Sequence, residues 1–264
     1  MIATTAFRRL AALAALLSLF LPIGLRSAEA GLPDLLERLK PSIVAIGTYQ
    51  KTRGPPFIFR GTGFAVGDGT IIATAAHVLP DVLATDKGET MLILIRGPGK
   101  GEPQPREAKA IAVDKEHDVA LLKIVGAPLS PVTLTSSSDG VRDGQGVGFT
   151  GFPFGNALGF YPVTHRGIIA SIAPVSLPRA SARELDAKAI QSLKADPISL
   201  FQLDATAYPG HSGSPLFDLE TGEILGVVNM GFLKGGKDSA IGQPSGISFA
   251  IPIRHLRALI ESPR

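Results

Sequence analysis

The sequence predicts an all-β protein built from two successive β units. Three observations predict it. Short apolar runs follow one another along the chain, each closed by turn residues. The 264 residues include 30 Gly and 21 Pro with no Gly-X-Y period, which fits many turns and excludes collagen. A stretch from Gly126 to Gly146, rich in Pro, Ser and Asp, separates one set of runs from the next. Hydrophobic residues make up 45% and charged ones 19%, so a large core can form.

The N-terminus reads as a secretory signal at 1–30. Arg8 and Arg9 make a positive start, an apolar stretch runs from Leu10 to Leu25, and Ala28-Glu29-Ala30 is a small-residue cleavage site. Pro22 and Gly24 interrupt that stretch, which is short for a retained membrane anchor. Export to the periplasm or the medium follows, with no membrane span left after cleavage. Formal net charge is +3, and the first 30 residues carry +2 of it through Arg8, Arg9 and Arg26 against Glu29. With no basic run elsewhere, nucleic-acid binding is not expected. Cysteine is absent, which excludes disulfides, thiolate metal sites and cysteine nucleophiles.

Beyond residue 30, Leu32, Leu35, Leu36 and Leu39 repeat at helical spacing until Pro41, so a short amphipathic helix opens the chain. SIVAIGTY, GTGFAVG, TIIATAAHV, MLILIR, KAIAV and DVALLKIV then read as strands of an antiparallel sandwich or barrel. After the connector come GVGFTGF, HRGIIASIA, LFQLDATA, PLFD, EILGVVNMGF and GISFAI. Ser181 and Glu184 form a capping box, so a helical insertion is expected at 181–194. Leu256, Leu259 and Ile260 share one face of a closing helix at 253–261.

Three short strings carry chemistry: Thr74-Ala-Ala-His77-Val, Asp118-Val-Ala-Leu-Leu and Pro209-Gly-His-Ser212-Gly-Ser-Pro215. A serine hydroxyl needs a base within reach, and that base needs an orienting carboxylate. Taken singly, His77 reads as a core histidine, Asp118 as a turn residue and Ser212 as a loop residue. Together they supply nucleophile, base and orienter. Asp114 and His117 compete with Asp118 for the third role. Gly210 allows dihedrals that aim the N–H groups of Gly210 and Ser212 at one point, an oxyanion hole. The chain order His, Asp, Ser differs from that of the α/β-hydrolases, and PLFD after Ser212 reads as a strand where their elbow needs a helix. Gly146, Gly148 and Gly151 match the dinucleotide fingerprint, but no helix follows, so no cofactor is expected. The five histidines show no metal-ligand spacing.

With these strings, the chain resembles the trypsin-like serine proteases, on their bacterial HtrA/Deg side. LPDLLERLKPSIVAI resembles the opening helix and first strand, GTGFAVGDGTIIATAAHV the histidine region and HDVALLKI the aspartate region. GFPFG resembles the start of a second barrel, DATAYPGHSGSPLFD the nucleophile segment and GISFAIP the last strands. The resemblance implies a chymotrypsin-like fold, two six-stranded antiparallel β-barrels with short N- and C-terminal helices and the triad in the cleft between them. On that reading 31–130 is the barrel carrying His77 and Asp118, and 131–264 the barrel carrying Ser212. It implies peptide-bond hydrolysis through an acyl-enzyme, protein or peptide substrates, and no metal or cofactor. Related proteins are often trimers, so a homo-oligomer is compatible with the resemblance, although no residue specifies one. No PDZ-like segment follows the closing helix.

Two positions depart from the family pattern. His211 and Ser214 stand where the family usually has Asn or Asp and Gly. His211 cannot receive a new N-terminal ammonium as a carboxylate does, so zymogen-type activation is not expected. Both departures keep a second reading open: a protease-like chaperone or binding module that does not cut. The base of the specificity pocket falls on Thr206, with Val228, Asn229, Met230 and Gly231 on one wall and Gly246 to Ser248 on the other. With no buried carboxylate at Thr206, the resemblance implies cleavage after small or medium aliphatic residues.

Overall fold

The computed structural model describes residues 31–96, 101–136, 138, 140–175, 198–229 and 246–262. The signal segment at 1–30, the helical insertion at 181–194, and Met230 and Gly231 lie outside the described residues.

Twelve strands close into two antiparallel barrels. The first holds β1 (Ile43–Tyr49), β2 (Phe57–Val66), β3 (Ile71–Thr74), β4 (Thr90–Ile95), β5 (Gln104–Asp114) and β6 (Val119–Ile124). The second holds β7 (Gly146–Gly151), β8 (Val163–Val175), β9 (Ile198–Asp204), β10 (Pro215–Asp218), β11 (Ile224–Asn229) and β12 (Ile247–Pro252). Strand order is β1-β2-β3-β6-β5-β4 in one and β7-β8-β9-β12-β11-β10 in the other, the same pattern twice. Closure removes sheet edges, which lets an all-β chain bury its backbone without exposing unpaired strands.

The near-continuous apolar run in β1 has a structural cause. Val44 and Ile46 enter the main core, while Ile43 and Ala45 join Phe152 in a smaller cluster at the seam, flanked by Phe59, Leu94 and Phe160. Both faces of β1 are therefore covered, and alternation disappears. β4 is covered less completely, and there Met91, Ile93 and Ile95 alternate with half-buried neighbours.

Two helices cover the ends. α1 (Leu32–Leu39) buries Leu35 and Leu39, and Leu35 lies directly over Gly222 in the turn between β10 and β11, where a Cβ would collide with it. The opening helix thus docks on the second barrel and joins the core that also holds Phe217, Ile224 and Leu256. α2 (Ile253–Glu261) buries Ile253 and Leu256 and packs on β6 and β11, so it spans both barrels. The connector between the barrels is tied to each. Leu129 and Val132 N–H donate to Gly69 and Ala65 of the first, and Thr135 N–H donates to Ile224 of the second.

The structure adjusts several expected boundaries. β3 ends at Thr74, and Ala76–Val78 form a 3₁₀ turn instead of continuing the strand. Gly146, Gly148 and Gly151 lie within β7 itself, not in a turn leading to a helix, so the dinucleotide geometry is absent there.

Candidate active site

His77 stands on the 3₁₀ turn after β3, and Asp118 ends the turn between β5 and β6. Asp118 has φ 52°, a left-handed conformation that Asp tolerates better than most residues. That bend turns Asp118 onto the histidine turn by three bonds. Its carbonyl accepts the Ala76 N–H at 3.1 Å, Oδ1 accepts the His77 N–H at 2.8 Å, and Oδ2 lies 2.6 Å from His77 Nδ1. With Nδ1–H engaged by a carboxylate, Nε2 is left as the basic nitrogen. The His77 side chain keeps 39% of its surface exposed, so that nitrogen faces an accessible space.

The rival acid has another partner. Asp114 Oδ2 lies 2.6 Å from His117 Nδ1, and His117 stacks at 4.1 Å on His255 of α2. This second pair braces the closing helix and leaves Asp118 to His77.

Ser212 belongs to the other barrel and is held by the first. The Thr62 N–H on β2 donates to the Ser212 carbonyl at 2.9 Å, and Thr62 Oγ1 donates to the Gly210 carbonyl at 2.7 Å. The same Oγ1 accepts the Phe152 N–H at 3.2 Å, while the Thr62 carbonyl accepts Thr74 Oγ1–H at 2.7 Å. One threonine thus ties the Ser212 turn, the start of the second barrel and the end of β3. Contacts confirm how closely the turns approach. A Cβ on Gly61 would crowd both Val78 (2.7 Å) and the Ser212 carbonyl (2.8 Å), and one on Gly213 would meet Thr62, Thr74 and the Ala75 nitrogen. Gly61 thus sits between Val78, next to His77, and the Ser212 carbonyl, and Gly213 lies against Thr74 and the Ala75 nitrogen.

The turn before Ser212 has the shape its sequence calls for. The His211 N–H donates to the Tyr208 carbonyl at 2.9 Å, closing Tyr208-Pro209-Gly210-His211 into a β-turn. Pro209 fills the second position and Gly210, with φ 106°, the third, as a type II turn requires. The Ser214 N–H donates to the His211 carbonyl at 2.9 Å, so a second turn follows at once. Among the described residues, neither the Gly210 nor the Ser212 N–H has a main-chain acceptor. Ser214 is fully buried against Gly151, where a Cβ would collide with its hydroxyl. The glycine of GFPFG thus makes room for the serine that departs from the family pattern.

The expected specificity residues divide. Ser248 is buried, donates to the Ala205 carbonyl at 2.7 Å and accepts the Ala207 N–H at 2.8 Å, so it pins the segment that carries half-buried Thr206. Gly246 takes φ 70° just before β12. Val228 is buried in the second-barrel core. Asn229 does something that its place in the sequence did not reveal: its side-chain amide donates to Asp118 Oδ2. It is a third partner of the carboxylate, and only the packing of β11 against the turn before β6 brings it there.

Among the described residues no cluster of His, Asp and Glu could hold a metal ion. No helix among them is long and apolar enough to cross a membrane.

Residues 61–227 match the family model of the trypsin-like peptidase domain. The chain is 28% identical over 242 residues to serine protease HTRA1A of Danio rerio, covering 90% of this chain and 42% of that protein. It is 33% identical over 193 residues to a probable periplasmic serine endoprotease, DegP-like, of Pseudomonas fluorescens, covering 73% and 32%. A protein of the same description from Ectopseudomonas mendocina is 29% identical over 267 residues, covering 86% and 48%. The chain spans less than half the length of these relatives.

Proposed function

We propose that this chain, which belongs to the trypsin-like peptidase family, is an exported serine endopeptidase working through Ser212, His77 and Asp118. The observation that carries this reading is the 2.6 Å contact of His77 Nδ1 with Asp118 Oδ2, on a turn that packs with the Ser212 carbonyl around Gly61.

The chemistry follows from the atoms. Nε2 of His77 takes the Ser212 hydroxyl proton as Oγ attacks the substrate carbonyl. Asp118 holds the ring by Nδ1 and stabilises the imidazolium that forms. The Gly210 and Ser212 N–H groups receive the developing oxyanion. Nε2 then returns its proton to the departing amine, leaving an acyl-enzyme on Ser212. Water, activated by the same nitrogen, releases the acid and restores the hydroxyl.

Export is supported by the signal-like residues 1–30 and by the periplasmic description of two relatives. The substrates are proteins or peptides. The uncharged Thr206 supports a preference for small or medium aliphatic side chains before the cut. A peptide-library digest checks this, and cuts chiefly after Lys or Arg would sink the preference.

The activity itself is tested by an organophosphonate probe. Native wild-type protein should label on Ser212 alone, and Ser212→Ala should label nowhere and lose about 10⁴-fold or more in turnover. Folded wild-type protein that neither labels nor cleaves would make the chain a binding module.

A further inference from the structure

One ionisable side chain beside the nucleophile has no part in the steps above. His211 precedes Ser212 directly and has no exposed surface. Its ring stands edge-to-face with Phe149 at 5.2 Å and with His165 at 4.9 Å, and the Tyr208 ring lies 6.3 Å away.

The backbone decides which way its hydrogen bond runs. His211 Nδ1 lies 3.0 Å from the Tyr208 nitrogen and 3.1 Å from the Tyr208 carbonyl oxygen. That carbonyl already accepts the His211 N–H. Among the described residues, the Tyr208 N–H has no acceptor but Nδ1. A main-chain N–H can only donate, so Nδ1 must offer a lone pair. The neutral ring then carries its proton on Nε2, which has no hydrogen-bond partner among the described residues and sits within the aromatic surroundings. Charging the ring would set a second donor against the Tyr208 N–H in a buried place. Burial, and then His165, lower this imidazole to about 3, with the Tyr208 main chain opposing. The titratable groups that face it are His165 on β8 and Tyr208 on its own turn.

The Tyr208–His211 turn is therefore closed twice, once by its main chain and once by the His211 ring. The doubly closed turn contains Gly210 and leads straight into Ser212. We infer that His211 is a positioning residue of the oxyanion hole: its neutral Nδ1, by accepting the Tyr208 N–H, holds Gly210 and Ser212 with their N–H groups free to meet one substrate oxygen. The inference rests on the peptidase reading.

The test compares wild type, His211→Phe and His211→Asn in the full chain. It reads kcat and KM on a peptide substrate, the rate of organophosphonate labelling, and long-range ¹H–¹⁵N correlation spectra of the wild-type imidazoles. Losing alignment of hole donors should cost about 10- to 100-fold. His211→Phe should thus lose that factor in kcat and in labelling rate, with KM within about threefold, because the hole acts on the transition state. His211→Asn, whose amide oxygen can accept the Tyr208 N–H, should return to within about fivefold of wild type. The spectra should show the Nε2-protonated neutral ring at pH 5 to 8 for this residue. Wild-type kcat and labelling in His211→Phe, no recovery in folded His211→Asn, or an Nδ1-protonated ring would each overturn the inference. If His211→Phe does not fold, the wild-type spectra decide. Wild-type protein that neither cleaves nor labels would fail the peptidase reading instead, an outcome no His211 variant can imitate.

Discussion

The Thr62 N–H of the first barrel donates to the Ser212 carbonyl of the second at 2.9 Å, across the seam between them. With its hydroxyl on the Gly210 carbonyl, the same residue reaches both sides of the proposed hole. Thr62→Val keeps the shape and the N–H but removes the hydroxyl. The Gly210 carbonyl and the Phe152 N–H then lose a buried partner, which should lower stability by about 1–3 kcal/mol. Turnover should fall about tenfold as the Gly210 peptide gains freedom. Urea unfolding and steady-state kinetics on the same preparation measure both.

Asn229 and Asp118 predict a graded series. Asp118→Asn should lower kcat by about 10⁴, because the amide cannot hold the histidine in the working tautomer. Asn229→Ala removes one donor from Asp118 Oδ2 and leaves the carboxylate, so a loss of about 10- to 100-fold is expected. Equal losses in the two variants would mean that Asn229 acts otherwise than through Asp118.

Gly213 follows Ser212 with φ 84°, and a Cβ there would collide with the Thr62 carbonyl and the Thr74 hydroxyl. Neither obstacle can swing aside, since one is main chain and the other is hydrogen-bonded and buried. Gly213→Ala should cost at least about 2 kcal/mol and abolish serine labelling. A thermal midpoint within a degree or two of wild type would contradict this packing.

A buried histidine, His211, and a half-buried one, His255, set an acid limit on stability. Burial, and then His117 and Arg254, lower His255 from 6.5 to about 4, with Asp114 opposing. His211 is lowered from 6.5 to about 3. Below pH 6.5 an unfolded chain binds protons at these rings that the folded chain refuses. Unfolding is then favoured progressively as pH falls, and the effect is absent above 6.5. His255→Phe retains an aromatic partner for His117 and should flatten the decline between pH 6.5 and 4. Thermal midpoints of wild type and variant across that range provide the check.

Residue pattern alone determined the two β units, both terminal helices and the three strings that hold His77, Asp118 and Ser212. Each is a local property: apolar runs, turn residues and a Pro-Gly pair specify backbone shape over a few positions. Tertiary structure decided what no local signal encodes. Asp114 and Asp118 are both acids near the β5–β6 turn, and the packing pairs Asp114 with His117 and Asp118 with His77. Thr62, 150 positions from Ser212, is a polar residue in a largely apolar strand until barrel closure lays β2 against the Ser212 turn. Asn229 likewise acquires its partner from the turn before β6, and His211 its ring neighbours Phe149 and His165 from β7 and β8. Hydrogen bonds between distant segments depend on how two closed sheets meet, and a one-dimensional pattern carries no measure of that distance.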